Sequence, residues 1–181
     1  MTTGCAPLYP GQDTRWSPDR SYRYFLRRQR LSQQATVQSE LCSDLPPIAF
    51  LLLNPSTADE VQDDPTVRRC RRFAAAWGYG EVIILNAFAY RATDPKVMRA
   101  VTDPIGPEND ATIDEVAKTL FAAGGTLVCG WGNHGAFLDR GSALRRLLAP
   151  YPAMAFPHTG AGEPGHPLYL RKDLKLETLR P

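Results

Sequence analysis

The chain has 181 residues, of which 43% are hydrophobic and 22% charged, with a formal net charge of +2. That is one domain's worth of chain with enough apolar surface for a full core, so disorder is not expected. A charge this close to balance also argues against binding nucleic acid by bulk electrostatics; such a role needs a local basic patch.

Residues 1–19 are rich in proline, glycine and polar residues and read as a loose lead-in to a single domain spanning 20–181. They lack the basic-then-apolar order of a signal peptide, and no apolar run approaches the roughly 18 residues of a membrane span. The four cysteines, Cys5, Cys42, Cys70 and Cys129, form no CxxC pair. That disfavours a zinc ribbon or iron–sulfur cluster and fits a reducing, cytoplasmic setting.

"RSYRYFLRRQRL", residues 20–31, mixes aromatics and arginines in near alternation. It reads as a strand at a sheet edge, where positive side chains stay wet. Whether those arginines serve only solubility or also touch DNA is open from the sequence. Residues 32–47 are a polar connection closed by two prolines.

From residue 48 the pattern is regular. "IAFLLL" (48–53) is a continuous apolar run, as expected of a strand covered on both faces. Asp64 followed by Pro65 starts a helix, with an N-cap acceptor and then proline at the first helical position. Val67, Cys70, Phe73, Ala74 and Trp77 recur on one face before "GYG" ends it. "EVIILNAF" (81–88) is a second strand, and a loop with two prolines leads to a helix marked by Ile113, Val116, Ala117, Leu120 and Phe121. "TLVCGWG" (126–132), "GSALRRLLAP" and "AMAF" (153–156) supply a third strand, a third helix and a fourth strand. Strands alternating with helices predict a three-layer α/β/α domain with a four-stranded parallel central sheet, plus the N-terminal edge strand.

In open parallel sheets, ligands bind beyond the carboxyl ends of the strands. Asn54, Ser56, Thr57, Asp59, Asp63 and Asp64 follow the first core strand. Asn86, Tyr90, Arg91 and Thr93 follow the second, Trp131, Asn133 and His134 the third, and His158, Thr159 and His166 the fourth. All three histidines therefore fall on one predicted rim. Taken singly these are ordinary features: Asn-Pro and Ser/Thr close turns, and His134 by itself reads as structural. Arg68, Arg69, Arg71 and Arg72 read first as a solvated helix face, with phosphate contact as the alternative. The acidic cluster lacks further metal-ligand spacing, and Asp64 is wanted as a cap, so neither metal nor cofactor is expected. No GxSxG, GxxxxGK[ST] or HExxH motif occurs.

From Tyr22 to about Leu170, "NPSTAD", "DDPTVRRC", "WGYG", "NAFAYRATDP", "DPIGPENDA", "CGWGNHG" and "HPLYL" resemble domain of unknown function family 1643, found in bacteria and phages. The layout is also similar to the uracil-DNA glycosylase superfamily, above all its mismatch-specific branch. Asn54-Pro55 stands where that branch has Gly-x-Asn-Pro, with Leu52 in place of the glycine. His166-Pro167 stands at its last motif, with Leu168 in place of serine, and "NAFAYRATDP" is similar to its middle segment.

The resemblance implies an N-glycosidase acting on a damaged or modified base in DNA or in a nucleotide. Asn54 would position water, Asp59 or Asp63 would act as general base, and His166, less readily His158, would donate to the leaving base. Trp131, Tyr90 or Phe88 would stack on the base, while Ser56, Thr57 and Arg91 would hold phosphate. Asn86 and His134 complete the expected substrate contacts. Two other readings fit the same residues: a non-catalytic protein that binds a base or nucleotide, and a metal-dependent phosphoester hydrolase using the aspartates.

Overall fold

A computed structural model describes Tyr9, residues 12–29 and residues 45–181. In chain order its elements are β1 (Thr14–Trp16), β2 (Arg23–Gln29), β3 (Ile48–Leu52), α1 (Pro65–Ala76), β4 (Glu81–Asn86), α2 (Pro95–Ala100) and α3 (Asn109–Ala122). β5 (Thr126–Cys129), α4 (Arg140–Leu148), β6 (Met154–Ala155) and β7 (Glu177–Thr178) complete them. A 3-10 segment, Asn133–Asp139, leads into α4, and a 3-10 turn, Pro167–Tyr169, follows β6.

The strands form one sheet in the order β1-β2-β4-β3-β5-β6-β7. β3 pairs in parallel with β4 and β5, and β5 with β6. β1, β2 and β7 join antiparallel. The sheet is therefore mixed and seven-stranded, which corrects the expectation of four parallel strands with one edge strand. Two- and three-residue strands such as β7 and β1 carry too little periodicity to stand out in a sequence.

All five residues of β3 are buried, and the side-chain period of two splits them between two cores. Ala49 and Leu51 pack with Ile113, Val116, Ala117 and Leu120 of α3 and with Leu144 and Leu148 of α4. Ile48, Phe50 and Leu52 pack with Val67, Cys70, Phe73 and Ala74 of α1. Helices thus cover both faces. α1 starts as its residues dictate: Asp64 accepts from the Val67 amide at 2.8 Å, and Pro65 occupies the first turn. Cys70 and Cys129 lie inside these cores as free thiols whose pKa burial pushes up, so neither is a nucleophile at neutral pH.

The N-terminal region differs from expectation in two respects. Thr14–Trp16, inside the expected lead-in, forms the sheet edge, while β2 lies between β1 and β4 rather than at the edge. The arginines of β2 are correspondingly dry. Arg23 and Arg27 are buried. Arg27 pairs with Glu81 at 2.7 Å and Asp13 at 2.9 Å, and Arg28 pairs with Asp63 at 2.7 Å. Their positive charge is mostly spent inside the protein, not on solubility. The expected ends of that strand at residues 30 and 31, and most of the polar connection (through residue 44), lie outside the described residues. The two-proline loop also carries α2, whose Asp94 side chain caps the Lys96 amide. No helix among the described residues is long and apolar enough to cross a membrane.

Candidate active site

β3 leads through α1 to β4 on one side, whereas β5 leads through α4 to β6 on the other. Neighbouring parallel strands whose connections diverge leave a crevice beyond their carboxyl ends. Arg23, Leu52, Asn54, Ser56, Asp64, Thr66, Val67, Ile84, Asn86 and His166 line a small cavity in that region. Its volume is about 30 Å³, which suits one or two water molecules rather than a nucleobase.

Asn54 follows the end of β3, and its side chain ties two loops together. Nδ2 donates to the carbonyls of Ala92 at 2.7 Å and Pro55 at 3.0 Å. Both amide hydrogens are thereby committed, leaving Oδ1 as an acceptor. Ser56 is held by its backbone, whose carbonyl accepts from Arg91 Nε at 3.0 Å. Asn86, at the end of β4, donates to the Arg23 carbonyl at 3.3 Å and is buried.

His166 arrives from the last loop. Gly130 N–H bonds to Leu51 O at 2.8 Å and Gly132 N–H to Pro164 O at 2.8 Å, drawing residues 164–166 against the strand ends. Gly132 has φ +69°, and a Cβ there would stand 3.4 Å from His166 Cβ. A side chain is therefore disfavoured at Gly132 by its backbone conformation. His166 Nδ1 accepts from the Leu168 amide at 3.4 Å, which puts the ring proton on Nε2. Burial lowers its pKa to about 4; the Asp64 carboxylate works in the opposite direction and His134 adds to the depression. The imidazole is thus neutral at physiological pH and still a donor through Nε2.

This shift has a consequence for stability. Between the ordinary histidine value near 6.5 and the folded value near 4, the unfolded chain binds the extra proton and the native one does not. Stability conferred by neutral His166 is full above about pH 6.5 and is lost as pH falls towards 4. The loss amounts to at most about 3 kcal/mol. Urea unfolding of the parent and of His166→Gln across pH 4–7 checks this: the variant should lose that part of the slope.

Two charged residues of the cavity, Asp64 and Arg23, are not among the expected catalytic or substrate-binding residues. Asp64 spends Oδ1 on the cap and leaves Oδ2 free of that duty. Arg23 is 1% exposed. Its Nη1 donates to Ala58 O at 2.6 Å, while the buried Nε has no partner. Burial lowers its pKa to about 10, against the pull of Asp64, so the guanidinium stays charged at neutral pH. Nothing in the sequence separates Arg23 from the other arginines of its strand, Arg27 and Arg28. For Asp64 the sequence signal was a carboxylate immediately before a helix that starts beside a strand end.

Several expected site residues lie elsewhere. Asp59 is partly exposed and accepts from the Val61 and Gln62 amides at 2.9 and 2.8 Å, which lowers its pKa. Asp63 is clamped by Arg28 and Arg71, and their hydrogen bonds hold its pKa down despite burial. Neither lines the cavity, and both are poorer bases than an ordinary carboxylate. Trp131 is fully buried, with Nε1 donating to Glu163 at 2.6 Å and Arg145 over its ring, so it offers no face for stacking. Phe88 is likewise buried.

His158 pairs with Glu177 at 2.7 Å beside β7, and His134 lies 2.9 Å from Arg99. Tyr90 packs edge-on against Tyr22, Arg91 lies over Trp16, and Thr57 is exposed. None of these five lines the cavity. Among the described residues, no three His, Cys, Asp or Glu side chains converge as metal ligands.

Fold and site together define an α/β protein with a small polar cavity at the carboxyl ends of its central parallel strands. The chain belongs to the family described as "Protein of unknown function (DUF1643)", which matches residues 23–168. No match was found among curated proteins or among solved structures.

Proposed function

We propose that the protein is an N-glycosidase that hydrolyses the bond between a base and its sugar in a nucleotide or in DNA. The observation that carries this reading is that Asn54 and His166, more than a hundred residues apart, line the same cavity. It also draws on the resemblance of "NPS" and "HPLYL" to the motifs of the uracil-DNA glycosylase superfamily.

The chemistry assigns each group a task. Asn54 Oδ1 accepts from a water and aims its oxygen at the anomeric carbon. As the glycosidic bond breaks, its electron pair leaves with the base, and His166 Nε2–H donates to the base oxygen where that charge collects. A neutral imidazole performs this role without having to be protonated. Asp64 Oδ2 takes the proton of the attacking water. The charge on Arg23 stabilises the departing anion through space. Because the cavity accommodates only water as it stands, the segments around 54–57 and 166–168 must part for a base to enter.

The test is incubation with a panel of modified-base oligonucleotides and nucleotides, with free base and abasic product read by mass spectrometry. His166→Ala is expected to lower kcat about 10²–10³-fold, as removal of a preorganised donor does. Asn54→Ala should also reduce release. Base release that both variants leave unchanged would overturn these roles. Binding of a base or nucleotide with no release across the panel would support the non-catalytic reading instead.

A further inference from the structure

α1 and the turn after His166 border a second, larger depression. Pro65, Arg68, Arg69, Arg72 and Leu168 line a groove of about 330 Å³. The cavity and the groove share the same two segments: Asp64, Thr66 and Val67 face the first while Pro65, Arg68 and Arg69 face the second, and His166 and Leu168 divide in the same way.

The charge in this groove is unspent. Arg71, on the same helix, pairs with Asp63 at 2.5 Å, a carboxylate it shares with Arg28. Among the described residues, no carboxylate pairs with Arg68, Arg69 or Arg72. Among the described residues, the Arg68 side chain donates only to the Asp63 carbonyl and that of Arg69 only to the Leu170 carbonyl. Arg69 also lies over the Phe73 ring, 4.7 Å from its centroid, and its buried Nε has no partner. Arg68 and Arg72 are exposed and one helical turn apart. That places their guanidinium groups on the same helix face, as two neighbouring phosphates require.

We propose that this groove is a phosphate-binding site that holds the charged part of the substrate beside the cavity. Guanidinium forks match phosphate geometry and stay charged at any working pH. The inference deepens the glycosidase reading by assigning the phosphate-bearing part of its substrate. Its readout is binding, so it can fail while base release stands, and the reverse.

The experiment measures the parent, Arg68→Gln/Arg72→Gln and the remote control Arg146→Gln with a fluorescent single-stranded oligonucleotide, by anisotropy over a salt series. A parallel arm uses a nucleoside triphosphate. Arg69 is left intact because it packs on Phe73, and thermal melting confirms that the double variant folds. The expected result is at least tenfold weaker oligonucleotide binding. The slope of log K against log salt should be shallower by about 1.4, or roughly 0.7 for each single-strand phosphate no longer neutralised. The control should match the parent. Loss confined to the oligonucleotide identifies a strand as the ligand, and loss in both arms identifies any phosphate chain; either supports the site. Affinities and slopes equal to the parent in both arms, or an equal loss in the control, would overturn it.

Discussion

Asp64→Asn is expected to abolish most base release while leaving the fold almost as stable as before. Asparagine caps a helix about as well as aspartate, so the bond to the Val67 amide, 2.8 Å in the parent, survives the change. What disappears is a carboxylate able to take a proton. A positioned general base contributes roughly 10²–10⁴-fold, and kcat should fall by that factor with little change in melting temperature. Asp64→Ala should show the same kinetic loss plus about 1 kcal/mol of destabilisation from the missing cap. Comparing the two separates chemistry from structure. The parallel change Asp63→Asn should weaken the clamp to Arg28 and Arg71 but not remove the base. Base release unaffected by Asp64→Asn would show that Asp64 is only a cap.

Phe156→Ala is expected to cost about 3–5 kcal/mol, the range for removing a buried aromatic from a packed core. Phe156 is fully buried and stands at the centre of an aromatic group. Its ring lies 6.0 Å from Phe50, 5.4 Å from Phe73 and 6.2 Å from Trp77, joining β3, α1 and the chain after β6. It also presses on Gly130, where an added Cβ would come within 2.7 Å of the ring. The residues that follow Phe156 run through the loop that delivers His166. Loss of the ring should therefore loosen the site as well as the core, and Phe156→Leu should recover part of both. Denaturant unfolding gives the first effect. The second appears as a His166-dependent activity that falls further than the remaining folded fraction explains.

How much of the molecule is legible in its sequence depends on the kind of feature. Apolar runs at 48–53, 81–88 and 126–132 each end within a few residues of a real strand end, because burial on both faces demands an unbroken hydrophobic stretch. Asn54, Ser56 and Asn86 share the cavity because residues at or just past parallel strand ends have little choice of location, whereas His166, well beyond the end of β6, is brought there by the bond from Gly132 to Pro164. Asp59 and Asp63 lie farther along the same loop and face elsewhere. Their destinations are set by an Asx turn and by two arginines, one of them on a distant strand. Trp131 shows the same limit: an aromatic at a strand end reads as a stacking platform, but Arg145 of α4 and Glu163 enclose it.

By itself the sequence determined the alternation of strands and helices, the cap of α1 and the polar rim, since each is written in local periodicity or in neighbouring residues. Only the tertiary structure decided that β2 lies inside the sheet, that Arg23 enters the cavity bonded to the Ala58 carbonyl and in no ion pair among the described residues, and that Asp64 rather than its neighbours faces the pocket of His166. Those outcomes rest on pairings across tens of residues, where burial sets the worth of a charge, and no local pattern records which partner a buried charge will find.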